Sequence, residues 1–229
     1  MKTHVLEMRM CVNARRTRVM AILSLPLAHR LRAIAVTVAL SVATGCGSGS
    51  SDHIFSVGIP TDRMVEVAAE QQGQNWCWAA CVQMVLSTKG IKVNQADVVQ
   101  RTYGAVVDAP GGADAILSRL SGWFQTRSGR TLLAASVVPG PMQEGLLYSY
   151  LKNQSPLILG VSYPGASIGH AVVVTAAVFK VSDAGLELKE VVVRDPWPDL
   201  AAQKGKRKLT REEFANAMFY CVVDVVKKP

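Results

Sequence analysis

The apolar pattern of this chain changes character about halfway along its length. Between residues 77 and 152 apolar side chains recur at helical spacing, and Gly or Pro residues separate the segments. After residue 156 they form short runs rich in Val, Ile and Leu, which are typical of β-strands. Helices followed by strands predict an α+β domain in which a helical lobe packs on a mostly antiparallel β-sheet.

The same pattern predicts individual elements. We expect helices at 77–88, 94–100, 113–120 and 141–153, strands at 156–163, 170–179 and 186–194, a short helix at 214–219 and a last strand at 219–226. Thr210 and Glu213 have the spacing of a capping box at the start of that short helix. The run 170–179 is apolar on both faces, which favours a central place in the sheet.

The clearest chemical signal precedes the first of these helices. A polar loop that starts at Gln71 leads Cys77 onto the first turn of the helix, followed by Trp78-Ala79-Ala80-Cys81. At that position the unpaired backbone N–H groups and the positive end of the helix dipole stabilise a thiolate, which is the nucleophilic form of cysteine. Cys77 is therefore the predicted nucleophile.

A cysteine nucleophile needs a base, and His170 begins the most apolar predicted strand. If strands 170–179 and 186–194 form a hairpin, the start of the first lies beside the end of the second, where Asp195 follows. Asp195 would then hold the imidazole through its Nδ1–H and stabilise the imidazolium. The alternatives are a packed structural histidine and an Asp-Pro turn that ends a strand.

Acyl transfer also needs hydrogen-bond donors for the oxyanion. The backbone N–H of Cys77 is one candidate, and the side-chain amide of Gln71 is the other. Gln72 and Gln74 remain alternatives to Gln71, and so does a polar loop with no catalytic role.

Cysteine usage bears on both chemistry and metal binding. Three cysteines lie beyond the N-terminal residues 1–46, namely Cys77, Cys81 and Cys221. In an oxidising compartment an odd number of cysteines leaves at least one thiol unpaired. Cys81 is interpreted as core packing or as a disulfide partner of Cys221. Zinc accepts ligands of the types found in Cys77, Cys81, His170 and Asp195, but a Cys-x3-Cys pair on one helix is unusual for it. We expect no metal and no other cofactor.

The N-terminal segment has the pattern of an export signal. Arg30 and Arg32 precede an apolar run over 33–43 that is too short to span a bilayer, and small residues follow up to Cys46. That ending resembles a bacterial lipobox, which implies acylation of Cys46. An ordinary cleavage nearby and an uncleaved anchor remain open.

These observations predict the organisation of the whole chain. We expect a signal peptide over 1–45, with a start at Met1 or Met20, then a lipidated N-terminus and flexible tether over 46–62, and a peptidase domain over 63–229. The expected location is the bacterial membrane surface facing the periplasm or the cell exterior, with secretion as the alternative.

The basic charge of the chain belongs mainly to its leader. The net charge is +8, of which residues 1–46 contribute +6 (seven basic groups, one acidic), so +2 remains for 47–229. We therefore expect no nucleic-acid partner. One basic cluster remains, made of Lys204, Lys206, Arg207, Lys208 and Arg211. We expect it to be a solvated loop.

The order of the motifs resembles the papain superfamily of cysteine peptidases. A glutamine, a cysteine six residues later, a Gly-His pair and an Asp-Pro-Trp triplet follow one another as in its compact bacterial branches, the effector proteases of plant pathogens and the double-glycine leader peptidases. The likeness runs from about Met64 to Val226. The spacing of 93 residues from Cys77 to His170 is shorter than in plant papain, and the Cys-Gly-Ser/Ala lead-in of papain is absent.

The resemblance implies a papain-like fold with the active site between a helical and a sheet lobe. It would make Gln71 the oxyanion donor and Cys77 the nucleophile. It would make His170 the general base and Asp195 the acid that orients it.

The predicted function is that of an exported thiol peptidase with a protein or peptide substrate and a membrane contact through the lipid on Cys46. Cys77 would attack the carbonyl, His170 would protonate the leaving amine, and water would resolve the thioester. The same residues also serve acyltransferases and amidases. A catalytically silent binding module at the envelope and an effector delivered to another cell are further alternatives.

Overall fold

The computed structural model describes residues 52–162, 165 and 169–227. The predicted signal peptide, Cys46 and the Gly/Ser-rich start of the tether lie outside the described residues. In chain order the elements are β1 (His53–Gly58), α1 (Thr61–Val67), α2 (Cys77–Thr88), α3 (Gln95–Tyr103), α4 (Ala113–Leu120), β2 (Gly122–Thr126), β3 (Gly129–Pro139), α5 (Glu144–Lys152), β4 (Leu157–Val161), β5 (His170–Ser182), β6 (Gly185–Arg194), a 3-10 helix (Pro198–Gln203), β7 (Lys206–Leu209), α6 (Arg211–Ala215) and β8 (Ala217–Lys227). Over these stretches, no helix combines the length and hydrophobicity that crossing a bilayer requires.

The strands form one antiparallel sheet in the order β2-β3-β8-β4-β5-β6-β7, and β1 joins it by pairing with β5. The first half of β5 pairs with β4, its second half pairs with β1 on the same side, and β6 pairs along its other side. β5 therefore has neighbours on both sides, as its continuous apolar run predicted.

Helices cover both faces of the sheet. Ile158 and Val173 point into a core shared with α2, α3 and α4, whereas Leu157 and Val172 point into a second core shared with α1 and α5. This alternation is the two-residue period of a strand buried on both sides. The predicted α+β class with helices packed on an antiparallel sheet is confirmed, and α1 and α5 add helices on the second face.

Helix α2 is the buried centre of the helical lobe. It spans the predicted 77–88, and most of its side chains are buried, including Trp78 and Cys81. Cys81 and Cys221 are both free and fully buried, so of the two interpretations of Cys81 the structure shows core packing.

Several predicted boundaries need correction. α5 begins at Glu144 and not at Pro141, and α6 ends at Ala215, so the segment expected as the end of this helix belongs to strand β8. The hairpin of β2 and β3 was not predicted. Its strands lie at the edge of the sheet, where polar side chains interrupt the apolar pattern.

The sheet begins within the predicted tether. His53–Gly58 pairs with β5 from Val181 to Ala176, and Phe55 stacks on Phe179. The boundary placed between residues 62 and 63 is therefore too late, because these residues complete the ladder along the second half of β5.

The basic cluster is not a solvated loop. Its central residues form β7, which pairs with the end of β6 through Val191–Arg194. Arg207 forms ion pairs with Asp195 and Glu213, while Lys208 pairs with Glu190 at the surface. The loop prediction is wrong here because a short edge strand with charged side chains has little apolar pattern to detect.

Candidate active site

Cys77 is the first residue of α2, as predicted. The preceding Trp76 is the N-cap residue, and its carbonyl accepts the first helical hydrogen bond from Ala80 N–H at 3.0 Å. The N–H groups of the first turn have no acceptor within the helix, so they point toward the space in front of it. Cys77 is half-buried, whereas the other two thiols of the described residues are fully buried.

The hairpin of β5 and β6 brings His170 and Asp195 together. Val173 pairs with Arg194, so the first residue of β5 lies beside the residue that follows β6. His170 Nε2 lies 2.7 Å from Asp195 Oδ1, and the two side chains are 15% and 5% exposed. The predicted proximity of these two residues is confirmed.

The ring nitrogen that meets the acid differs from the prediction. Asp195 contacts Nε2 of His170, whereas the prediction had it contact Nδ1. The Cys77 side chain interacts with the same imidazole and helps to raise its pKa. Since Nε2 is taken by Asp195, Nδ1 is the nitrogen left for Cys77.

The surroundings of His170 keep a proton on its ring. Burial lowers the pKa of His170, but hydrogen bonds to Asp195 and Cys77 and the negative charge of Asp195 outweigh it and raise the pKa to about 9. Burial raises the pKa of Asp195, but the hydrogen bond and charge of His170, together with Arg207 and the Trp197 N–H, bring it below its ordinary value. Imidazolium and carboxylate are therefore the forms present at neutral pH.

Gln71 lies in the same place, but its amide donors are engaged. Its Nε2 donates to the carbonyls of Gly73 at 3.0 Å and Gln74 at 2.8 Å, and its backbone N–H donates to Pro196 O at 2.8 Å. Its buried Oε1 has no hydrogen-bond partner among the described residues. An oxyanion role requires Nε2–H to turn from one of these carbonyls toward the substrate, so this role stays a prediction.

The alternatives to Gln71 are placed differently. Gln72 is exposed, and its backbone N–H donates to the Gln95 side chain at 2.9 Å. Gln74 is exposed but lines the same cavity as Cys77.

Two cavities meet at the cysteine–histidine pair. The first, of about 540 Å³, is lined by the four predicted site residues together with Asn75, Trp197 and Asp199. The second, of about 250 Å³, is lined by Cys77 and His170 and by glycines 111, 112, 160 and 169. We call the two cavities together the cleft. A larger polar groove of about 1260 Å³ lies at the other end of α2, and none of the predicted site residues lines it.

The structure does not support the zinc alternative. Cys81 is fully buried in the core under α2. Within residues 52–162, 165 and 169–227 no group of three or more His, Cys, Asp or Glu side chains is arranged to hold a metal ion.

Sequence comparison decides the family. The sequence profile of the Peptidase_C39 like family matches residues 64–221, which is more than half of the chain. The chain belongs to the peptidase C39-like family. It is therefore a cysteine peptidase by family. A search of curated protein sequences finds no match.

Solved structures share the fold of this C39-like peptidase at low sequence identity. The cysteine protease and lectin-like domains of Cwp84, a surface layer associated protein of Clostridium difficile, align with a TM-score of 0.50 and 12% identity over 77% of this chain and 55% of that chain. The chain thus spans about half the length of that structure, and the likeness shows the papain-like α+β fold.

Two further structures align less closely. The peptidase domain of Streptococcus ComA, a bi-functional ABC transporter, has a TM-score of 0.47 and 14% identity over 70% of this chain and 97% of that chain. A double glycine motif protease from the AMS/PCAT transporter, in complex with the leader peptide, has a TM-score of 0.41 and 19% identity over 68% and 89%.

The sequence interpretation missed one residue of the C39-like site. The Arg207 guanidinium contacts Asp195 Oδ2 through Nε at 2.8 Å. The sequence evidence for Arg207 was only its place in the basic cluster at 204–211. Its spacing from Asp195 gave no indication that the two residues make contact.

Trp197 has a structural role beyond its place in the motif. Its backbone N–H donates to Asp195 Oδ1 at 3.0 Å, and its ring meets the His170 ring edge-on at 6.2 Å. The indole Nε1–H donates to Asp199 at 3.0 Å. Trp197 therefore helps to orient both His170 and Asp195 from its place in the lining of the cleft.

A loop at 107–110 supports the segment around the nucleophile. Its backbone carbonyls accept hydrogen bonds from the indole N–H groups of Trp76 and Trp78 and from the Tyr103 hydroxyl. The Asp108 carboxylate accepts the Asn75 backbone N–H at 2.8 Å. This loop leads directly into the glycines of the smaller cavity, so the same contacts position the nucleophile loop and one side of the cleft.

Proposed function

We propose that this C39-like peptidase hydrolyses peptide bonds with Cys77 as nucleophile, His170 as general acid and base, and Asp195 as the residue that orients the imidazole. One observation carries the proposal: Cys77 and His170 line both cavities where these meet, and His170 Nε2 lies 2.7 Å from Asp195 Oδ1. Cys77 and His170 are both half-buried, whereas Asp195 is buried, as expected where the nucleophile and the base meet substrate.

The proposed reaction has two stages. The Cys77 sulfur attacks the carbonyl carbon, and the oxyanion accepts hydrogen bonds from the Cys77 backbone N–H and from Gln71 Nε2. His170 gives its proton to the amine as the C–N bond breaks, which leaves a thioester. His170 then takes a proton from water as the water oxygen attacks, and cleavage of the C–S bond releases the acid.

The charge state of His170 suits the first stage. With a pKa of about 9, the imidazole carries at neutral pH the proton that the leaving amine needs. Asp195 stabilises this imidazolium throughout, because its carboxylate remains ionised.

A peptide is the substrate that fits the cleft. An extended chain that crosses the Cys77–His170 pair can occupy both cavities, one on each side of the scissile bond. The smaller cavity is bordered by glycines, and a Cβ added at Gly160 would lie 2.5 Å from the Phe219 ring, so its walls are closely packed. We expect small residues to be preferred on that side.

The test uses the full chain and a mixture of peptides analysed by mass spectrometry. Hydrolysis adds one water to the summed mass of the products, whereas acyl transfer to another amine does not. We expect Cys77→Ala to abolish cleavage, and Cys221→Ala, which removes a fully buried thiol that lines neither cavity, to keep it. Equal cleavage by wild type and Cys77→Ala would refute the proposal.

Thiol labelling gives a second measurement. Iodoacetamide should modify Cys77 in the folded protein and leave Cys81 and Cys221 unmodified, because both are fully buried. Labelling should slow in His170→Ala. A Cys77 that labels no faster than an ordinary exposed thiol, with no peptide cleavage, would favour a silent binding module.

We also propose that the chain is exported and anchored through a lipid on Cys46. The support is the sequence pattern of Arg30, Arg32, the apolar run 33–43 and the small residues before Cys46. Metabolic labelling with a fatty-acid probe should mark the wild type and not Cys46→Ala, and cell fractionation should place only the wild type with membranes. Equal distribution of both proteins between membrane and soluble fractions would refute the anchor.

A further inference from the structure

The Asp195 carboxylate is held on both of its oxygens. Oδ1 accepts hydrogen bonds from His170 Nε2 and from the Trp197 backbone N–H, and Oδ2 accepts one from Arg207 Nε at 2.8 Å. The Asp195 backbone N–H donates to Gly205 O at 2.7 Å. A carboxylate whose plane tilted about χ2 would weaken the Arg207 contact, so this contact fixes the plane in which the carboxylate faces the imidazole.

Arg207 is itself fixed by a second carboxylate. Its NH1 and NH2 groups donate to the two oxygens of Glu213 at 2.9 and 2.7 Å, which is the bidentate geometry that a guanidinium favours. Glu213 Oε2 also accepts the Thr210 backbone N–H at 2.8 Å, and the Thr210 hydroxyl accepts the Glu213 N–H at 3.1 Å. The capping box of α6 thus fixes the carboxylate that fixes Arg207.

We propose that Arg207 and Glu213 are positioning residues for the reaction, because the Glu213-bound guanidinium holds Asp195 Oδ2 and thereby keeps Oδ1 on His170 Nε2. The inference rests on the proposed roles of His170 and Asp195. It extends the hydrogen-bonded series from the cleft through β7 to the first turn of α6.

Burial gives this arrangement its effect. The Asp195 and Glu213 side chains are 5% and 10% exposed, and that of Arg207 is 22% exposed. Burial lowers the pKa of Arg207, but its hydrogen bonds to Glu213 and Asp195 outweigh this and raise it above its ordinary value. The guanidinium is therefore a permanent positive charge between two carboxylates. If it moved away from either one, that buried carboxylate would lose its charged partner.

Arg207 could affect His170 by positioning Asp195 or only through its positive charge, and these two effects change the pKa of His170 in opposite directions. The charged or titratable groups around it are Cys77, Asp195 and Asp199 in the cleft and Arg207 behind Asp195. If Arg207 acted only through its charge, its removal would raise the pKa of His170, because a nearby positive charge would be lost. If Arg207 positions Asp195, its removal loosens the Asp195–His170 hydrogen bond and the pKa falls.

The experiment titrates His170 by NMR in the full chain and measures kcat and KM on the same proteins. The variants are Arg207→Met, Arg207→Lys, which keeps the charge but loses the planar fork, and Glu213→Gln, which keeps the shape of the side chain. Asp195→Asn gives the reference for a lost carboxylate. The matched control is Lys208→Met, which removes the neighbouring β7 cation whose partner is Glu190.

We expect the titration midpoint of His170 to fall toward that of Asp195→Asn in Arg207→Met, and to fall less in Arg207→Lys and Glu213→Gln. We expect kcat to fall by on the order of tenfold to a hundredfold with a smaller change in KM, the size typical of losing a partner that orients a site residue. Lys208→Met should change neither quantity.

A midpoint that stays unchanged or rises in both Arg207 variants would overturn the inference, even if thermal stability drops. Glu213→Gln retains this test if Arg207→Met does not fold. The titration needs no turnover, so it separates the two proposals. A coupled Arg207–Asp195–His170 series without peptide cleavage would refute the function alone, whereas cleavage that depends on Cys77 but not on Arg207 would refute this inference alone.

Discussion

At the scale of single residues, the protonation of the site depends on the partners that surround the partly buried His170 ring. His170 lies between a half-buried thiol and a buried carboxylate, and its pKa of about 9 results from these partners outweighing burial. The folded protein therefore binds the proton of His170 more tightly than the unfolded chain does. This difference links the protonation of the ring to the stability of the fold.

The first prediction concerns the pH dependence of stability. Because the folded pKa of His170 is raised from an ordinary value near 6.5, its contribution is complete below about pH 6.5 and is lost as the pH rises through about 9. The loss should be on the order of 3 kcal/mol at most, and urea unfolding on both sides of this window measures it. Asp195→Asn should flatten the profile, and an equally steep profile in that variant would contradict the assignment.

The second prediction concerns Gln71. If its Nε2 turns toward the oxyanion in the transition state, Gln71→Ala should lower kcat by on the order of a hundredfold and change KM little. Gln72→Ala is the control, because the exposed Gln72 side chain lines neither cavity of the cleft. Similar losses in both variants would indicate that the loop and not the amide matters.

At the scale of elements, the start of one strand, the end of its neighbour and the start of a helix meet at the cleft. β5 presents His170, β6 leads into Asp195, and α2 begins with Cys77. The segment between β6 and β7 returns against Asp195, because Asp195 N–H donates to Gly205 O and Gly205 N–H donates to Leu200 O at 3.0 Å. Asp195 is therefore positioned from the side of β7 as well as by the β5–β6 hairpin.

The third prediction concerns the close backbone contact between Gly205 and Asp195. Gly205 has φ of 68°, and a Cβ there would lie 2.1 Å from the Asp195 carbonyl oxygen. Gly205→Ala should lower stability by more than the roughly 1–2 kcal/mol of left-handed strain and should also reduce kcat, since Asp195 must shift. Gly140→Ala is matched, because its φ is 69° and nothing lies within 4 Å of the added Cβ. Thermal unfolding and kinetics of both variants measure the difference, and equal effects would argue against the contact.

At the scale of the whole molecule, the central parts were predictable and the edges were not. Long apolar periods predict the bounds of α2 and the β5–β6 hairpin, and this hairpin places Asp195 beside His170. β1, β7 and the β2–β3 hairpin lie at edges where side chains are half-exposed and the two-residue alternation is weak. Arg207 was beyond sequence reasoning, since its contact with Asp195 depends on the register between β6 and β7.

The fourth prediction concerns the N-terminal edge of the sheet. A chain that begins at Asp52 should match the longer chain in melting temperature, whereas one that begins at Ile59 should be less stable. The shorter chain loses the ladder to the second half of β5 and the contacts of Phe55 with Tyr148 and Phe179. Calorimetry of the two truncated proteins measures this, and equal melting temperatures would show that β1 adds nothing.

The pairing of β1 with β5 also determines how far His170 lies from the point at which the chain enters the sheet. His53 pairs with Val181, so the chain enters the sheet near one end of β5 while His170 occupies the other. At about 3.3 Å per residue, these two points are on the order of 35 Å apart along the strand. A surface linkage or tag placed ahead of Asp52 would therefore join the sheet at the end of β5 opposite to the cleft.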